Sequence, residues 1–347
     1  MPLLHSRLGT WDLEHVHAWS ERALQIQAPE RILIHPGTRV ATIGSCFAKE
    51  LATMMTEVGI EGSMHPGGLF YSTATIRQEL DRIAGGWPER AAEPAWQIPA
   101  GYVDPFRGYD TAYPDLESLE QDRARADAAA DETFRGASVV VVTLGLIETW
   151  RNPQTGNTFR QIPHPVAFGA QRPEFHRLTV AEMLSDLEQI RHLVRDVLGA
   201  QLVVTTSPVP LHTTFTPLDV RIANAESKSR IRAAASEFVD THSDVVSFHS
   251  YEMVVTAERQ SDFFREDGRH VERRAVRYIV SEFLKLHAAP SLRLADVDSS
   301  WLTPISKTAP TPGPARRATK PPPPPAPAWR RAARRVRRVA RRVTGSA

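Results

Sequence analysis

Ser138–Leu144 reads SVVVVTL, with four valines in a row and no polar residue between them. Consecutive β-branched residues favour a strand, and because side chains alternate, both faces of that strand need apolar cover. A parallel sheet with helices on each side meets that condition, whereas a half-exposed hairpin does not. Similar runs stand at Arg39–Ile43 (RVATI), Gln201–Thr206 (QLVVTT) and Asp244–Phe248 (DVVSF). Helical patterns lie between and after them. One runs from about Phe47 to Val58, and others over Ala223–Val239 and Val271–His287. Thr179–Gly199 places Val180, Met183, Leu184, Leu187, Ile190, Val194 and Val197 at helical spacing, with Gly199 as the stop. This alternation predicts a doubly wound α/β fold, and a 41% hydrophobic composition suffices to bury its core.

In such a sheet, ligands bind beyond the carboxyl ends of the strands. The segments that follow the strands are Gly44-Ser45-Cys46, Gly145 to Glu148 (GLIE), Ser207 to Pro210 (SPVP) and His249 to Glu252 (HSYE). Asp267 to His270 (DGRH) precedes the last helical pattern and can reach the same rim. Ser45 and Cys46 sit on a glycine turn that opens a helix, so backbone amides point towards a nucleophile. Cys46 is the only cysteine, which excludes an intramolecular disulfide and a cysteine-based metal site. Taken singly, Cys46 reads as packing and His270 as a turn histidine. Together with Asp267 they form a hydrolase-like constellation of nucleophile, base and orienting carboxylate. The thirteen histidines show no His-Glu-x-x-His spacing, so no metal is expected.

Charge is unevenly placed. Positions 301–347 carry 12 of the 42 basic residues and no acid, although the whole chain has a net charge of only +2. Ten of the 27 prolines fall within positions 304–327, followed by WRRAARRVRRVARRV. The expected division is an N-terminal extension (1–38), a globular domain (39–290), a disordered Pro-rich linker (291–327) and an Arg-rich amphipathic tail (328–347). Residues Trp329–Val343 would suit an anionic membrane surface. Nucleic acid fits less well, because no aromatic residue lies among the arginines to stack on bases. The first 25 residues lack a signal-like apolar region, and no stretch reaches the roughly 18 apolar residues of a membrane span. The expected location is the cytoplasm, peripheral at the inner membrane face.

Gly44 to Ala48 spells GSCFA, and the chain from 39 to 287 resembles the GSCFA family. The resemblance also includes Pro66 to Tyr71 (PGGLFY), Thr143 to Glu148 (TLGLIE), SPVP, Asn224 to Lys228 (NAESK), Ser250 to Glu252 (SYE) and DGRH. The family is similar to the SGNH/GDSL hydrolases, which implies a three-layer α/β/α sandwich and chemistry on esters. It implies His270 as base, Asp267 as its orienter, and Gly67 or Gly68 with the Cys46 amide as an oxyanion hole. By position Cys46 is the nucleophile; by atom type it is Ser45. A thiol at a helix N-terminus facing His270 is expected to have a lowered pKa. Ile147 stands where those hydrolases keep an asparagine, leaving His65 or Asn224 as substitute donors. Gly145, Glu148, Asn224 and Lys228 are further candidates for substrate contact. The implied function is an ester hydrolase or O-acyltransferase working through an acyl-enzyme on a glycan or glycolipid precursor. No cofactor is implied beyond acetyl-CoA as a donor for the transferase. The alternative is a non-catalytic glycan- or lipid-binding module.

Overall fold

The computed structural model describes residues 31–87, 93–107, 111–160, 162–170, 172–256 and 263–292. All lie in the unit spanning Met1–Thr303. Most of the N-terminal extension, the linker beyond residue 292 and the Trp329–Val343 segment lie outside the described residues.

Strand β1 (Arg39–Gly44) runs into helix α1 (Cys46–Glu57), and β2 (Glu61–Met64) into α2 (Thr73–Ala84). A hairpin of β3 (Trp96–Ile98) and β4 (Gly101–Val103) precedes α3 (Leu116–Arg135) and β5 (Val139–Leu144). Next come β6 (Glu148–Arg151), β7 (Thr158–Phe159), the short α4 (Ala167–Ala170) and β8 (Glu174–Arg177). Helix α5 (Val180–Arg191) continues as a π-helical turn over His192–Val197 before β9 (Gln201–Thr206). The body ends with α6 (Val220–Thr241), β10 (Val245–Phe248), α7 (Ser250–Val255) and α8 (Arg273–His287).

The main sheet has the order β10-β9-β5-β1-β2 and every pairing in it is parallel. The chain therefore winds one way from β1 to β2 and the other way through β5, β9 and β10. Such a reversal is where a doubly wound sheet is expected to offer a ligand crevice, here at the carboxyl ends of β1 and β5. The valine run alternates as its sequence demands. Val140, Val142 and Leu144 pack among Ile76, Leu80, Phe134, Leu187 and Phe238 on one face. Val139 and Val141 join Phe47, Leu51, Ile279 and Phe283 on the other. Each buried valine contributes roughly 1.5–3 kcal/mol. The architecture is thus the expected α/β sheet with helices on both faces.

Three local differences from the sequence reading matter. The predicted helix over Thr179–Gly199 loses its α pitch at His192, where the wider turn keeps Leu193 and Val194 buried. The last helix starts at Arg273, because Val271 instead pairs with Phe264 and closes the loop that carries Asp267 and His270. Between β5 and α5, β6 pairs antiparallel with β7 and β8 in a small second sheet. At the far end from the strand termini, Leu33 and Ile34 join the body. Their amides donate to His287 O at 2.8 and 3.0 Å, and Ala289 N donates to Ile34 O at 2.8 Å.

Candidate active site

Gly44 turns the chain at the end of β1 with a φ of 143°. A Cβ there would lie 2.2 Å from both the carbonyl and hydroxyl oxygens of Thr143 on the neighbouring strand. Only glycine fits, and Gly44→Ala should cost about 2–4 kcal/mol through strain and overpacking. A thermal melt checks this, and an unchanged Tm would contradict the tight turn. The next amide, Ser45 N, donates to Thr143 Oγ1 at 3.0 Å, locking the turn to β5. Ser45 then caps α1: its Oγ accepts from Phe47 N at 3.3 Å, and the residue is 2% exposed.

Cys46 is the first residue of α1 and is half-buried. Burial pushes its thiol pKa up, while the charges of Arg269 and Lys228 and its own amide pull the other way without prevailing. The expected lowering is therefore reversed, because desolvation outweighs the helix terminus and the two cations. At neutral pH the thiol is protonated and needs a base.

Across the crevice stands Gly145. A Cβ on it would come within 3.4 Å of Ser45 Cβ and 3.3 Å of Tyr71 Cδ1. Tyr71 O accepts from Gly145 N at 2.8 Å and Leu146 N at 3.0 Å, while Phe70 N donates to Gly44 O at 2.8 Å. Beneath this junction Lys228 is fully buried on α6. Its Nζ donates to Gly145 O at 2.8 Å and to Ser207 O at 2.7 Å, joining the ends of β5 and β9. Burial drives its pKa from 10.5 down to about 7, with Cys46 pulling it upward. One helical turn earlier, Asn224 Oδ1 accepts from Leu211 N at 3.0 Å, and directly before Lys228, Ser227 Oγ accepts from Ile147 N at 3.0 Å. Glu148 accepts from Thr214 Oγ1 at 2.5 Å and Phe215 N at 2.9 Å. Asn224 and Glu148 thus both hold the loop after β9.

The Asp267–His270 loop presents a ready pair. Asp267 Oδ2 lies 2.5 Å from His270 Nδ1, and its Oδ1 accepts from Arg269 N and His270 N, both at 2.9 Å. The hydrogen bonds from His270 and Arg269 hold the Asp267 carboxyl well below the usual carboxylate range. The loop is tied to α1 by Arg265 Nη2, 3.3 Å from Glu50 Oε1. No hydrogen bond joins His270 to Cys46 among the described residues, and the link between them runs through α1 and the field of Arg269.

The expected oxyanion loop is arranged differently. Gly67 N donates to His65 Nδ1 at 3.0 Å and Gly68 N to His65 O at 3.1 Å, so both amides are already engaged. His65 is 4% exposed and its Nε2 pairs with Glu79 at 2.9 Å, so its ring serves the interior and not the rim. Burial alone would raise the Glu79 carboxyl, but hydrogen bonds and charge from His65 and Arg82 hold it at about 2. Two donors remain beside the thiol: the Cys46 amide, and the Tyr71 hydroxyl, which has no hydrogen-bond partner among the described residues. Burial and the neighbouring Cys46 push the Tyr71 pKa up, so the hydroxyl stays protonated. Tyr71 and Arg269 were passed over in the sequence although they stand inside the PGGLFY and DGRH blocks. Arg160, whose Nη1 donates to Gly67 O at 2.5 Å, carried no sequence signal.

Among the described residues, no group of three His, Cys, Asp or Glu side chains is placed to hold a metal ion. No helix there is long and apolar enough to cross a membrane. No curated protein matches this chain. The model of the GSCFA family matches residues 39–283, more than half of the chain and the whole of the rim just described, and the protein belongs to the GSCFA family.

Proposed function

We propose that the crevice between β1 and β5 is the active site of an SGNH-like ester hydrolase or O-acyltransferase, with Cys46 as nucleophile. One observation carries this reading. The half-buried thiol sits at the free amide end of α1, and a hydrogen-bonded Asp267–His270 pair is pinned to that helix through Arg265 and Glu50. Ser45 is the weaker choice, because its hydroxyl is buried and spent as a helix cap. His270, oriented by Asp267, would take the thiol proton, and the thiolate would attack the ester carbonyl. The Cys46 amide and the Tyr71 hydroxyl are the available oxyanion donors. The C–O bond then breaks, the leaving alcohol takes the proton from His270, and a thioester remains. Water or a sugar hydroxyl, activated by the same histidine, releases the acyl group. A glycan or glycolipid precursor is the proposed substrate, in the cytoplasm at a membrane surface met through Trp329–Val343.

Intact mass after brief exposure to p-nitrophenyl acetate or acetyl-CoA tests this. One added acetyl group is expected, retained in Ser45→Ala and lost in Cys46→Ala. Loss only in Ser45→Ala would move the nucleophile by one residue. The engaged Gly67 and Gly68 amides favour a second reading, a glycan- or lipid-binding module that keeps the pocket without the chemistry. A folded protein that takes no acetyl group from either donor would support it.

A further inference from the structure

The cations around Cys46 are partnered by backbone. Several half-buried arginines of the body meet carboxylates, Arg82 with Glu79 and Asp131, Arg123 with Asp104, Arg77 with Asp186, although Arg31 bonds to Ser243 O and Gln201 without one among the described residues. Arg160, Lys228 and Arg269 instead have no carboxylate within ion-pair distance among the described residues. Each points at backbone carbonyls of the strand-end loops: Arg160 at Gly67 O, Lys228 at Gly145 O and Ser207 O, Arg269 at Pro210 O.

Arg160 is 9% exposed, its guanidinium lies 4.8 Å over the Phe70 ring, and its Nε is buried with no partner. A buried guanidinium left that way is costly unless something else balances its charge. Burial lowers its pKa to about 10, although the charges of Glu79 and Asp104 offset part of that cost from beyond ion-pair distance. Arg269 is half-exposed, and the one hydrogen bond of its side chain among the described residues is a long 3.4 Å contact through Nε. Its two terminal nitrogens are therefore free to form a fork to a planar or tetrahedral anion. The fields of Arg269 and Arg160 both reach Tyr71, and those of Arg269 and Lys228 reach Cys46. Arg269 thus acts on both groups, while Lys228 acts on Cys46 and Arg160 on Tyr71.

We propose that this rim binds a substrate carrying its own anionic group, a carboxylate or a phosphate, which Arg269 grips directly while Arg160 supplies positive charge behind it. The inference rests on Cys46 being the reactive group of the proposed site, but not on any acyl transfer taking place. It narrows the substrate class to acidic esters, such as an acyl ester on a uronic acid or a sugar phosphate.

The test compares alkylation of Cys46 in the full chain by iodoacetate and by iodoacetamide. In both, the thiolate sulfur displaces iodide and forms an S–CH2 bond, and the two reagents differ chiefly in the carboxylate. The ratio of their rates, normalised to the same ratio for glutathione, cancels the ionisation of the thiol. A normalised preference for iodoacetate of about tenfold or more, falling close to one in Arg269→Gln, is expected. Protection by millimolar inorganic phosphate but not by acetate would assign the phosphate class, and the converse the carboxylate class. Arg269 lies on a surface loop, so its replacement leaves the core untouched. A normalised ratio near one in the wild-type protein, or one unchanged in Arg269→Gln, overturns the proposal. Anion preference without any acetyl adduct would keep this site and remove the hydrolase reading, so the two failures are separable.

Discussion

His270→Ala should slow acylation of Cys46 by about a hundred- to ten-thousandfold, the usual worth of a positioned general base. The size follows from the state of the thiol. Burial raises the Cys46 pKa, so near neutral pH only a small fraction is thiolate without help. Asp267 fixes the ring by accepting at Nδ1, which leaves Nε2 as the nitrogen for the thiol proton. Asp267→Asn should therefore also slow acylation, by a smaller factor. Neither change should disturb the fold, because the side chains of His270 and Asp267 are 39% and 48% exposed. Single-turnover acylation by p-nitrophenyl acetate across pH 6–9 checks both. Towards the alkaline end of that range the His270→Ala deficit should shrink, since more of the thiol is then thiolate and needs no base. A His270→Ala protein that acylates at the wild-type rate at pH 7 would remove the histidine from the mechanism.

Lys228 should make the protein more stable as pH rises from about 7, and Lys228→Met should abolish that rise. The unfolded lysine keeps its proton up to its ordinary pKa of 10.5, whereas the folded one loses it near 7. Between those values the unfolded state binds more protons, so unfolding becomes less favourable with increasing pH. The cost of burying the ammonium is fully present below about 7 and is relieved above it. At about 1.4 kcal/mol per pH unit, wild type should gain roughly 2 kcal/mol over Lys228→Met between pH 6 and 8.5. Other groups titrate in both proteins, so the difference isolates Lys228. Methionine also removes the bonds to Gly145 O and Ser207 O, which lowers stability at every pH and leaves the slope as the readout. Parallel urea melts at the two pH values decide it, and equal slopes in the two proteins would contradict the buried charge.

How far the sequence could be read depended on how local the signal was. Strands with unbroken apolar runs, such as Val139–Leu144 and Gln201–Thr206, were legible because burial on both faces leaves no other pattern. Strand β2 (EGSM) was not, since it lies at the sheet edge and none of its residues is fully buried. The small antiparallel sheet escaped for the same reason: β7 has two residues and gains its burial from distant aromatic neighbours such as Trp96 and Phe106. In the site, the Gly44 turn, the α1 cap and the Asp267–His270 pair were readable as short-range chemistry. The Gly67 and Gly68 amides could not be read correctly, because His65 reaches two residues forward to occupy one of them. Thiol acidity misled for a related reason. A helix terminus is visible in sequence, but the depth of burial that outweighs it is not.

The clasp between Ile34 and the end of α8 bears on how the body is completed during synthesis. Leu33 and Ile34 are made before the first strand, yet their partners, His287 and Ala289, come only at and just beyond the end of α8. A growing chain therefore holds Leu33 and Ile34 without these partners until almost the whole body has been made. Helix α8 also supplies Ile279 and Phe283 to one face of the sheet, so β1, which has β2 and β5 on its two sides, waits for its last layer as well. Contacts of such long sequence separation close slowly, and exposed apolar surface in the interim favours association with other chains. Helix α8 is thus the last-made cover of this face, and a nascent chain stalled before Arg273 would lack the layer against which the side carrying Cys46 packs.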